Sequence, residues 1–308
     1  MAVRTADWEA MLAQYYRESA RALLSQARHL PAVARRERAR GLLVDIRKIL
    51  RRTDGYSRWW AEKAIPDWYR TQDFASIRML KKGKLLVNAR FEKVNELAVE
   101  HLVKRAQDYL TGATDGFRHH VSRLMLRPKF WTEEMGAEIA KAEIQGLSAA
   151  KLQDRIIDRL VDKLAMGKVI VKGDDGRMYQ FDLDYYAGMV GHNMRREATT
   201  VATKIRAGQN NHDLIVISPN PSTVGDFCDA YRGKVFSLTG ATPGFPLVER
   251  LPNGGPPFHP WCKHTASPFI ARFYTDDEIE ARKGVDETFL TREGRDVGDI
   301  AKLWKEAA

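Results

Sequence analysis

The sequence is poor in cysteine: only Cys228 and Cys262 occur in 308 residues. That excludes a disulfide-built scaffold and suits a reducing compartment, where both thiols stay available as metal ligands or nucleophiles. Long apolar runs are missing as well. No stretch approaches the roughly 18 residues needed to span a bilayer, so no membrane partner is expected. The opening MAVRTADWEAMLAQYYRESA lacks the apolar segment of a secretory signal, and none is expected. HExxH, GxxxxGK[ST] and GxGxxG are absent, which removes the usual signatures of zinc peptidases, P-loop NTPases and dinucleotide-binding enzymes. Fixed-period repeats and low-complexity tracts are absent too.

Apolar residues make up 44% of the chain, enough for a sizeable buried core. Positive charge is in excess: the net charge is +10, and residues 1–53 hold twelve Lys/Arg against five Asp/Glu. Such a field suits an anionic partner, although a charge run is also what a solvated helix face looks like. Arg35, Arg36, Arg38, Arg40, Arg47, Lys48, Arg51 and Arg52 are the candidate phosphate-binding residues. With no base-reading pattern, their binding would be non-specific and salt-sensitive.

Hydrophobic spacing predicts an α+β protein, predominantly α. A helical region, 1–166, precedes a small α+β domain, 167–274, and a helical tail, 275–308. Trp8, Met11, Leu12, Tyr15, Ala22 and Leu23 mark one helix face, which Ser19 interrupts. Pro31 can open a second helix, and RRTDGYS is expected to break it. A third begins near Ser57, with a kink or division at Pro66. KKGK at 81–84 reads as a further break. On the next helix His101 reads as a helix histidine, not a ligand. His119 and His120 are adjacent, so their side chains diverge. Ser148 and Gly167 fit the N-cap and C′ positions of the helix ending this region. KVIVKGDDGRMYQFDL reads as a hairpin, followed by an amphipathic helix with Tyr186, Met189, Val190, Met194, Val201 and Ile205 inward. HDLIVIS reads as a buried strand. Pro219 to Pro268 reads as a long loop with GKVFSL its one strand. YTDDEIEARKG and AKLWKEAA read as short helices.

The chemistry concentrates in Cys228–x30–His259–x2–Cys262–x–His264. Two thiolates and two imidazoles form a common tetrahedral zinc complement, and a metal crosslink would stabilise a long loop that packs little apolar surface. The residues alone leave two other readings open. The cysteines can be small buried residues with hydrogen-bonded histidines beside them, or a thiol and a histidine can form a nucleophile–base pair. Asp174, Asp175, Asp182 and Asp184 are explained by turns and helix starts.

CDAYRGKVFSLTGATPGFPLVERLPNGGPPFHPWCKHTASPF resembles the C-terminal core of phage minor capsid proteins of the Mu F-like head morphogenesis family. The matching residues are Cys228, Tyr231, Gly233 to Leu238, Phe258 to Pro260, and Cys262 to His264. The resemblance covers about residues 183–270; the helical half fits only in layout. Many members carry CxxC at the first half-site, where this chain has Gly225 in place of the first cysteine. The resemblance favours structural zinc at Cys228, His259, Cys262 and His264. It implies a non-enzymatic virion protein, made in the host cytoplasm and carried inside the capsid near the portal vertex. Its partners would be the portal protein, the major capsid protein or other head components, and packaged DNA. The alternative is a phage-encoded metal-dependent nuclease or transferase with its site in the 219–268 loop.

Overall fold

The computed structural model describes residues 7–28, 36–127, 136–145, 148–172, 176–219 and 226–290. It is an α+β structure, mainly helical, with two small antiparallel sheets. Pro31, Arg35, Asp174, Asp175, Gly225 and the AKLWKEAA segment lie outside the described residues. The helices are α1 (Trp8–Arg28), α2 (Arg36–Lys82), α3 (Lys93–Met125), α4 (Gly136–Ile144), α5 (Ala149–Lys163), α6 (Leu183–Gly208) and α7 (Asp276–Arg282). The strands are β1 (Lys168–Lys172), β2 (Met178–Asp182), β3 (Leu214–Ile217), β4 (Val235–Ser237) and β5 (Ala266–Pro268).

The chain divides into two compact units, each discontinuous in sequence. Among the described residues, one comprises residues 7–60 and 107–191; the other comprises residues 61–106 and 192–290. The 166/167 boundary expected from the change in sequence texture falls inside the first of these.

In the first unit the core gathers Leu12, Tyr16 and Leu23 of α1, Leu43, Ile46 and Leu50 of α2, and Phe117 and Val121 of α3. The expected break at RRTDGYS does not occur, because α2 runs unbroken from Arg36 to Lys82, through Pro66. The polar residues that resemble a turn signal are satisfied inside the helix. Thr53 Oγ1 donates to the Ile49 carbonyl and Ser57 Oγ to the Thr53 carbonyl. Both hydroxyls also meet α1, at Ser19 and Tyr16. Asp54, in the same stretch, pairs with Arg118 at 2.8 Å. Such side-chain bonds let Ser, Thr and Asp sit within a helix that their intrinsic preference disfavours. β1 and β2 pair antiparallel as the expected hairpin, Lys168 opposite Asp182. His119 is exposed, while His120 bonds the Lys163 carbonyl at 3.1 Å, so the two diverge as the spacing predicts.

In the second unit a three-stranded sheet has the order β4-β3-β5, with β3 central and antiparallel to both neighbours. β5 corrects the reading of GKVFSL as the one strand between Pro219 and Pro268. Ala-Ser-Pro has no β-branched or aromatic residue to announce a strand, and proline is tolerated there because β5 is an edge. Ile215, Ile217, Tyr231, Phe236, Leu238, Val248, Leu251 and Phe258 form the core beside the sheet, and Cys228 and Cys262 belong to it. A buried Asp73–Arg206 pair joins the α2 and α6 segments of this unit. Arg206 also donates to the carbonyls of Asn88 and Arg90, which fixes the strap following α2. Thr275 and Glu278 form a capping box that starts α7, as its sequence predicts.

Candidate metal centre

A short 3₁₀ turn, Phe227–Tyr231, carries Cys228 into the second unit's core. The opposing wall is the turn around His259–Cys262, closed by a Cys262 N–H donating to the His259 carbonyl at 3.2 Å. Trp261 takes φ of 62°, a left-handed conformation that costs a bulky residue about 1–3 kcal/mol. α6 holds the turn in place. The amide N–H of Trp261 donates to Asn193 Oδ1 at 3.1 Å, and His192 Nε2 lies 2.9 Å from the Cys262 carbonyl.

Cys228, Cys262 and His264 are all fully buried, and their ligand atoms lie within 4.8 Å of one another. Cys262 Sγ and His264 Nδ1 are 3.8 Å apart. His259 approaches Cys228, with its Nε2 3.1 Å from the sulfur. Bonds of about 2.3 Å to sulfur and 2.0–2.1 Å to nitrogen set donor separations of roughly 3.4–3.8 Å around tetrahedral zinc. The Cys262–His264 separation matches that span and the Cys228–His259 separation is somewhat shorter, so the buried Cys228, Cys262 and His264 cluster could hold a metal ion.

The remaining nitrogen of His259 also fits. His259 Nδ1 lies 2.7 Å from the Pro260 carbonyl. A carbonyl only accepts, so Nδ1 carries the proton and Nε2 turns its lone pair toward the Cys228 side. This is the outer-shell arrangement that orients metal-binding histidines. His264 Nε2 is buried without a hydrogen-bond partner among the described groups. Burial also lowers the His264 pKa, with Asp229 opposing the shift, which favours the neutral ring that a metal needs. Burial, aided by Cys262, Asp226 and Asp229, pushes the Cys228 thiol up to about 11. This is the reverse of an activated nucleophile, whose thiol is driven down by a cationic neighbour. A divalent cation would reverse the shift by deprotonating the sulfur.

The structure thus brings the spacing candidates into two overlapping groups that share Cys228: Cys228 with Cys262 and His264, and Cys228 with His259. A fifth donor was missed: Asp226, whose carboxylate clusters with Cys228 and His259 within 4.8 Å. It sits two residues before Cys228, a spacing that carries no metal signature by itself. His192 and Asn193, which fasten the His259–Cys262 turn, were missed too, because they lie within an amphipathic helix remote in sequence.

The basic candidates belong to α2, apart from Arg35. Arg47, Lys48, Arg51 and Arg52 are exposed; the side chains of Arg36, Arg38 and Arg40 lie outside the described residues. Among the described residues no helix is long and apolar enough to cross a membrane. Compared with protein-family models, with curated proteins and with solved structures, the chain matches none.

Proposed function

We propose that the chain is a non-enzymatic head-morphogenesis protein of a phage, and that zinc at Cys228, His259, Cys262 and His264 fastens its C-terminal core. The observation that carries the structural part is the burial of both thiols and of His264 at the meeting of two segments 31 residues apart. Zinc there would supply chain closure and no bond-breaking chemistry. Catalytic zinc needs an open position for water or substrate; Cys228, Cys262 and His264, withdrawn from solvent, do not favour one, and His259 alone is partly exposed. Asp226 would accept hydrogen bonds beside the metal or replace His259 as the fourth donor.

The phage assignment rests on the likeness of residues 183–270 to the Mu F-like core, and the basic α2 supports it independently. Arg47, Lys48, Arg51 and Arg52 present two adjacent i, i+4 pairs to solvent, suited to phosphates of packaged DNA or to an acidic portal surface. Inside a head, near the portal vertex, either partner would be at hand. Particle fractionation tests the reading. The chain should co-purify with portal and major capsid protein in DNA-filled heads. Its absence from heads, or divalent-dependent DNA cleavage lost on His259→Ala, overturns it in favour of an enzyme.

A further inference from the structure

In the second unit a cleft of about 280 Å³ opens at the C-terminal part of α2, against β5. Its floor is formed by Ala75, Met79 and Pro268; Ser76 and Ser267 add hydroxyls, and Arg78 and Lys82 add charge. No carboxylate lines it. Ser76 is almost wholly buried, and its hydroxyl accepts from Gln72 at 3.4 Å while donating to no described group. Arg78, Lys81, Lys82 and Lys84 are exposed and pair with no carboxylate among the described residues. A helix C-terminus attracts cations, which accounts for part of this cluster. The helix end is already answered by Arg272, which donates to the Gly83 carbonyl at 3.0 Å. Four further unpaired cations exceed what a half charge requires.

We propose that this cleft binds one nucleotide unit of a single-stranded nucleic acid. The volume is small for a drug-sized ligand and suits a sugar with its phosphate. The apolar floor takes the sugar, while Arg78, Lys82 and the Ser76 hydroxyl take the phosphate. The cations continue beyond the cleft through Lys81, Lys84 and Arg272, more than a single phosphate uses. Phe273, exposed between Lys82 and Arg272, adds an aromatic face beside that track. A cationic track with an aromatic neighbour is the arrangement that holds a strand without reading its sequence. DNA and RNA share this phosphodiester chemistry.

Fluorescence anisotropy of the full chain with labelled oligothymidylate, oligouridylate and duplex DNA tests the assignment. Saturable, salt-sensitive binding of a single strand is expected. Arg78→Gln/Lys82→Gln should weaken it roughly tenfold. Ala75→Phe, which fills the floor without changing charge, should weaken it comparably. Both variants are checked for native circular dichroism, and the exposed pair keeps the test valid if Ala75→Phe misfolds. Absence of saturable binding, or wild-type binding by folded Ala75→Phe, overturns the proposal, since the latter means adsorption by charge alone. The inference does not rest on the head-protein reading. Strand binding without co-fractionation supports it, and co-fractionation without strand binding overturns it alone.

Discussion

Cys228 Sγ stands 3.1 Å from His259 Nε2 although 31 residues separate them. The Pro260 carbonyl fixes the histidine tautomer, so a lone pair faces the sulfur. A neutral thiol can donate a weak hydrogen bond to it, whereas a zinc ion would be bound by both. The two cases differ in what happens to the intervening chain. A hydrogen bond opens with little loss, but a metal bond closes the loop until the ion leaves.

The chain purified without chelator should therefore carry about one zinc, measured by elemental mass spectrometry. Removing it should lower the thermal midpoint by roughly 5–10 °C. Cys228→Ala and His264→Ala should each abolish stoichiometric zinc. His259→Ala should retain some, because Asp226 lies near enough to replace it. Full zinc retention by Cys228→Ala would end the fastening model.

Much of this arrangement was legible in the residues, and the failures have physical causes. The α6 stripe was readable because burial follows the helical period: Tyr186, Val190, Met194, Val201 and Ile205 are all buried, and Met189 is half-buried. β3 was readable because a central strand is apolar on both faces. β5 was not, since its pairing is imposed by β3 and its three residues carry no pattern. The break expected at RRTDGYS failed because Thr53 and Ser57 find buried partners on α1, which local propensity cannot register. The metal donors could be nominated from type and spacing. Asp226, His192 and Asn193 could not, because their relevance depends on a meeting of segments visible only in the fold.

Asp73 and Arg206 make a second long-range bond, bidentate at 2.6 and 2.8 Å and withdrawn from solvent. Asp73→Ala should cost about 3–5 kcal/mol, because it leaves the guanidinium buried with only backbone carbonyls. Asp73→Ala/Arg206→Met should recover part of that loss by removing the unpaired charge. Urea unfolding of the variants decides it; a double variant no more stable than Asp73→Ala contradicts the account.

Lys204 is buried on α6 and donates to the Gly254 carbonyl. Burial lowers its pKa to about 7, against the opposing influence of Glu249 and Glu197. The unfolded lysine titrates near 10.5. Between these values the unfolded chain binds more protons than the folded one, so this residue makes stability rise with pH. The stabilisation difference should grow by a few kcal/mol from pH 7 toward pH 10. Thermal midpoints across that range, for wild type minus Lys204→Met, isolate the effect from other titrations. A flat or falling difference contradicts the assignment.

Between α1 and α2, Tyr16 Oη meets Ser57 Oγ at 2.7 Å, and Ser57 donates onward to the Thr53 carbonyl at 2.8 Å. The direction of the first bond follows from the second. With its proton committed to the carbonyl, Ser57 accepts from tyrosine. The two truncations are therefore unequal. Tyr16→Phe leaves Ser57 still bonded to the backbone and should cost about 0.5–1.5 kcal/mol. Ser57→Ala strands a buried phenol and should cost about 1–3 kcal/mol. Tyr16→Phe/Ser57→Ala should fall short of the summed losses by at least about 0.5 kcal/mol, because no phenol remains to be stranded. Strict additivity in denaturant melts would mean that the two hydroxyls are satisfied independently, and the polar stretch in α2 would then need another explanation than its bond to α1.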